Sequence, residues 1–191
     1  MSLKDLTHAM HKQAETQPIV KVMFSGKINP DLYATYLFNQ HPCYDLLETY
    51  AMTFGQLNDL PDIRRAPKIN EDFREIWGNR ADRPVDLPVV KEYLDHIKHL
   101  AETAPEKLFS HIYVRHMGDL AGGQMIAKRV PGSGLYYQFA DPEALKTAIR
   151  ARLSDDMADE ANICFDFASR LFKELGEVDL PHFKAEESTD E

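Results

Sequence analysis

The chain has 191 residues, 43% hydrophobic and 28% charged, which suits one soluble domain with a substantial buried core. A net charge of −9 argues against a general nucleic-acid surface, and no apolar run reaches the roughly 18–20 residues of a membrane span. The start, Met1-Ser2-Leu3-Lys4-Asp5, lacks the apolar run of a secretory leader, so a cytoplasmic protein is expected.

The punctuation is helical from one end to the other. Leu3 to Glu15 has helical period and stops before Pro18. Asn29-Pro30 pairs an N-cap with a first-turn proline and opens a long helix to about Phe54. Pro42 lies inside it with apolar residues on both sides, which predicts a kink rather than a break. Asn70 reads as the cap of a short helix ending at Trp77-Gly78. Two more helices are expected over Leu87–Glu102 and Pro105–Arg129, the second stopped by Val130-Pro131-Gly132-Ser133-Gly134. Asp141-Pro142-Glu143 starts another, and Ser154 opens the last. In that last helix Met157, Ala161, Cys164, Ala168, Leu171 and Leu175 form one apolar stripe, closed by Gly176. No strand-period run or internal repeat is present, so the fold class is all-α, a single-domain helical bundle over residues 1–178. Lys173 to Glu191 holds seven acids against two lysines, a net −5 that leaves −4 for the rest. Residues 179–191 read as an acidic, flexible tail. Cys43 and Cys164 sit far apart inside helical patterns, as free buried thiols rather than a disulfide.

The most informative stretch runs from Tyr113 to Gln124, reading Tyr-Val-Arg-His-Met-Gly-Asp-Leu-Ala-Gly-Gly-Gln. It is mid-helix yet holds Gly118, Gly122 and Gly123, each costing about 1 kcal/mol relative to alanine. Gly118 and Gly122 share a face, which serves either a bulky ligand near the backbone or a tight helix crossing. Asp119, between them on an apolar helix, needs water or a polar partner if buried. On the first helix Lys4, His11 and Glu15 share a face. Glu15 is one turn from His11 and can accept from one imidazole nitrogen, leaving the other for a metal. Lys4 is about 10.5 Å along the axis from His11, comparable to the distance from a heme iron to its propionates. A lone helical histidine is more often structural, and this chain has eight. Lys146 and Arg150, also one turn apart, make a cationic pair suited to carboxylates, or simply a solvated basic face.

On these segments the sequence resembles the heme oxygenases from Leu3 to about Gly176. Arg115-His116-Met117-Gly118-Asp119-Leu120-Ala121-Gly122-Gly123-Gln124 is similar to the family's distal-helix signature, and His11-Lys12-Gln13-Ala14-Glu15 to its proximal segment. The resemblance implies heme b as substrate and cofactor, sandwiched between those two helices, with O2 as co-substrate. His11 would be the axial iron ligand, oriented by Glu15. Gly118 and Gly122 would let the distal helix approach the heme, and Asp119 would organise water on its oxygen-binding side. Tyr44 resembles a member of that water network, and Arg115 a polar residue behind the pocket. Lys4, Tyr113, Lys146 and Arg150 match positions that hold the propionates, and Phe165 and Phe172 match aromatics lining the cavity. The implied activity is ring opening to biliverdin, carbon monoxide and ferrous iron.

The resemblance also implies a ferredoxin or flavoprotein reductase as electron donor, and a bilin reductase as a downstream partner. Arg64, Arg65, Lys68, Lys128 and Arg129 are the candidate basic docking residues. His116, in place of a tyrosine, and His41-Pro42 depart from the pattern, as do Val20 and Met23, and they bear on pocket shape. A non-catalytic heme carrier would need no Asp119 between two glycines. A di-iron oxidase would need Glu-x-x-His pairs, which are absent from the sequence. A thiamin-degrading relative of the same fold would leave His11 and Glu15 unexplained.

Overall fold

The computed structural model describes residues 2–180, and all of their regular structure is helical. Helix α1 (Leu3–Glu15) and α2 (Pro18–Ser25) lead into the long α3 (Pro30–Thr53). Then come α4 (Ala66–Trp77), α5 (Pro88–Thr103), α6 (Leu108–Ile126), α7 (Pro142–Arg150) and α8 (Ala158–Gly176). Short 3-10 turns at Pro105–Lys107, Leu135–Tyr137 and Asp155–Met157 precede α6, α7 and α8. None of these helices is long and apolar enough to cross a membrane.

Several caps form as the residue types predict. Asn29 Oδ1 accepts from the Asp31 and Leu32 amides, and Asp141 Oδ1 from Ala144. Helix α3 passes through Pro42 unbroken. Both cysteines are buried and free. On α8, Ala161, Cys164, Leu171 and Leu175 are buried as the stripe requires, while Ala168 is half-buried.

Four helices differ in their bounds from the sequence expectation. The one expected over Pro105–Arg129 is α-helical only over Leu108–Ile126, its first residues forming a 3-10 turn. Pro18 does not merely end α1; it starts α2 as a first-turn residue, a position where the missing amide is harmless. Helix α4 starts at Ala66, four residues before Asn70, with Pro67 in its first turn. Its cap is tertiary: Glu48 on α3 accepts from the Arg65 and Ala66 amides at 2.5 and 3.2 Å. Ser154 precedes the 3-10 turn at Asp155, and α8 proper begins at Ala158. The expected flexible tail falls largely on 181–191, outside the described residues.

Helices α3 and α6 bury side chains around most of their circumference and form the centre of the molecule. Helix α3 packs against α4, α5 and α6, whereas α8 runs along α1, α2, α5 and α6. A small apolar cluster of Ala14, Val114, Ala161, Cys164 and Phe165 joins α1, α6 and α8 at one place, beside the main core.

Candidate functional site

The site grows from the glycines of α6. A Cβ added at Gly118 or Gly122 would meet nothing within 4 Å. The helix-crossing reading therefore fails for both: no neighbouring helix needs the missing side chains. Gly123 is different, because a Cβ there would lie 2.5 Å from Cδ1 of Tyr137. One glycine is needed by packing, and two keep a backbone face open.

Asp119 sits between the two open glycines and is buried. The Tyr44 hydroxyl donates to its Oδ2 at 2.7 Å, and the Tyr136 hydroxyl donates to Tyr44 at 2.7 Å. Burial holds both phenols well above the ordinary tyrosine range, so each keeps its proton to donate. Burial also pushes Asp119 up to about 6, against the opposing pull of His116 and of the two tyrosine hydroxyls. A carboxyl in this setting changes charge near neutrality, where an ordinary surface aspartate does not.

His116 packs its ring edgewise on Tyr44, with centroids 5.2 Å apart. Its Nε2 lies 2.9 Å from Glu48 Oε1 and its Nδ1 3.2 Å from the Ile112 carbonyl. The departure at 116 thus ties α6 to the residue that caps α4. Arg115 bonds to α5 and α3, and its guanidinium lies 5.3 Å from the centre of the Tyr44 ring. Its Nε donates to the Tyr93 hydroxyl at 2.9 Å and its Nη1 to Gln40 Oε1 at 3.0 Å. His41 and Pro42 line a surface depression with Phe38, Asn70 and Phe73, away from Tyr44's hydroxyl.

On α1, His11 Nε2 lies 3.0 Å from Glu15 Oε1, the one-turn pairing that the spacing predicts. Both side chains are accessible, at 49% and 62%, which leaves the imidazole free to meet a ligand. The His11 ring rests on Phe165 of α8, with centroids 5.2 Å apart, and Tyr113 packs on the cluster that contains Phe165. Phe172 stacks on Tyr36 at 6.1 Å. Lys4 and Arg150 are exposed, and Lys146 Nζ donates to Glu143 at 2.8 Å. Val20 and Met23 are buried in the main core.

The structure brings Asp119 and Tyr44 into direct contact, and likewise His11 with Glu15 and Phe165. Among the described residues, Lys4, Lys146 and Arg150 are not hydrogen-bonded to those groups: Lys4 and Arg150 are exposed on α1 and α7, and Lys146 is half-buried beside Glu143 on α7. Of the residues expected to form a basic docking patch, Arg65 is excluded. It is fully buried, donating to the carbonyls of Asp62, Ile63, Tyr136 and Gln138. Sequence reasoning missed Tyr136, Gln40, Tyr93 and Glu48. Tyr136 is 92 residues from its partner Tyr44, and the turn that delivers it is fixed from α4 and the residue before it: Asp72 accepts from the Leu135 and Tyr136 amides, and Arg65 donates to the Tyr136 carbonyl.

Comparison with known proteins gives one consistent answer. Heme oxygenase 1 of the cyanobacterium Synechocystis is 28% identical over 198 residues, covering 91% of this chain and 82% of that protein. The heme oxygenase of Guillardia theta is 29% identical over 202 residues, covering 92% and 85%. The crystal structure of the Synechocystis heme oxygenase-1 in complex with heme superposes with a TM-score of 0.81 at 25% identity, over 92% of this chain and 90% of that one. The family model described as heme oxygenase matches residues 1–175, and this chain belongs to that family.

Proposed function

We propose that this protein binds heme between α1 and α6 and opens its ring oxidatively to biliverdin, carbon monoxide and ferrous iron. The observation that carries the reading is the open backbone face at Gly118 and Gly122, with a buried titratable carboxyl between them. A flat ligand can lie against such a face, and a carrier has no use for the carboxyl. When bound, heme supplies both the redox-active iron and the ring that is opened; O2 and electrons come from outside.

The residues divide the work. His11 on α1 presents an accessible imidazole for the iron, and Glu15 fixes its ring orientation by accepting a hydrogen bond. Neutral imidazole is the fitting ligand, since a thiolate would push electron density toward O–O cleavage. Lys4, Lys146 and Arg150, with the Tyr113 hydroxyl, bind the propionates and so fix the in-plane orientation. Phe165 and Phe172 form the apolar wall. Asp119 holds a proton-bearing water on the α6 side, and Tyr44, backed by Tyr136, keeps its Oδ2 in place. Arg115 acts at one remove, through Gln40 and Tyr93.

The electron donor is a ferredoxin or a flavoprotein reductase, and the product passes to a bilin reductase. Residues 1–178 form the catalytic domain, with 179–191 as an appended acidic tail, in a cytoplasmic protein. The test combines purified protein with heme, ferredoxin, its reductase and NADPH. A bilin seen by absorbance and chromatography is the expected result, and intact heme after turnover would identify a carrier. His11→Ala is expected to lose the histidine-ligated heme spectrum. An unchanged spectrum would move the ligand elsewhere, with His8 the first residue to test.

A further inference from the structure

A second cluster of ligand-type side chains lies outside the heme site, where α5, α6 and α8 meet. His96 of α5 and His111 of α6 both direct Nε2 at one oxygen of Glu160 on α8, at 2.5 and 2.8 Å. The three potential ligand atoms lie within 4.8 Å of one another. His111 and Glu160 are buried, while His96 keeps 23% of its side chain in solvent. We propose that His96, His111 and Glu160 form a divalent metal site for a first-row ion of the zinc type, completed by water on the His96 side.

The donor set is two imidazoles and one carboxylate with an open position, which zinc accepts at three protein ligands. Ligands about 2.0–2.1 Å from a tetrahedral ion stand about 3.3 Å apart. The His96 contact must therefore widen by roughly 0.8 Å, within the reach of that part-exposed side chain, and the His111 contact by roughly 0.5 Å, which a turn of the Glu160 carboxylate can supply.

The surroundings supply the outer contacts that a ligating histidine needs. His111 Nδ1 is 3.0 Å from the Tyr93 hydroxyl, an acceptor for the ring N–H once Nε2 binds the ion. Tyr93 in turn takes the Nε hydrogen bond of Arg115. The ion would thus clamp three helices and stiffen the Arg115 support from behind. A plain ion-paired carboxylate needs only one of the two histidines.

The experiment uses the full-length, heme-free protein, titrated with Zn2+ by calorimetry and with Co2+ as the optical reporter. Expected are one equivalent bound, tetrahedral Co2+ absorption and a raised Tm. His96→Gln and Glu160→Gln should each weaken binding by at least about tenfold. His11→Gln, which removes the accessible α1 histidine, should leave it unchanged. Three results would overturn the site: no bound equivalent, wild-type affinity in a folded His96→Gln protein, or loss of binding in His11→Gln.

Discussion

Asp119 is the residue on which the proposed chemistry turns, and its environment is far from that of a surface carboxylate. Burial outweighs the pull of His116, of the Tyr44 and Tyr136 hydroxyls and of Arg65, so the carboxyl rises to about 6. A carboxyl raised in the folded state takes up protons on folding. Its contribution favours the fold below the unfolded value near 4 and is lost as pH rises through about 6. Asp119→Asn should therefore raise the unfolding free energy at pH 7 by on the order of 2 kcal/mol, with the gain vanishing at pH 4. Urea melts of the heme-free protein at the two pH values check it. The same variant should bind heme normally while biliverdin yield falls by about 100-fold, measured under single-turnover reduction. Wild-type yield would remove Asp119 from the chemistry. The wild type should itself lose yield below about pH 6, as the carboxyl becomes neutral. Asp119 stands between two glycines that advertise it, whereas Tyr44 is reached only through the family resemblance. Tyr136 is reached by neither, because its position depends on a 3-10 turn pinned by Asp72 from another helix.

At the scale of the element, α6 separates two uses of glycine that one sequence motif runs together. Gly122→Ala adds a methyl into open space and removes backbone freedom, so the heme-free protein should gain about 1 kcal/mol. Heme affinity should fall, since the methyl stands on the ligand's face. Gly123→Ala drives a methyl into Tyr137 and should cost about 1–3 kcal/mol. Chemical denaturation and heme titration of both variants distinguish the two roles, and equal losses of stability would refute the distinction. Helix ends were legible where the cap is local, as at Asn29 and Asp141. They were not legible at α4, whose first amides are satisfied by Glu48 from another helix, seventeen residues upstream of Arg65. A carboxylate that caps across the fold leaves no mark in the segment it caps.

For the molecule as a whole, the proposed ligand site draws residues from α1, α3, α6, α7 and α8, so ligand and fold are thermodynamically linked. Heme at 100 times its Kd should stabilise the folded state by about 2.7 kcal/mol, read as a rise in Tm. An unchanged Tm at that concentration would mean that heme does not bind the native state. The arrangement of α1 has a consequence for how the protein is made. Helix α1 packs chiefly on α8 and the turn before it, the far end of the folded chain in sequence. At 13 residues it is marginal as an isolated helix. During synthesis it emerges well before residues 155–176, the segment that supplies most of the surface it packs on. The proposed ligand His11 is thus translated long before Phe165, the ring it rests on, and can take its folded position only once α8 has been made.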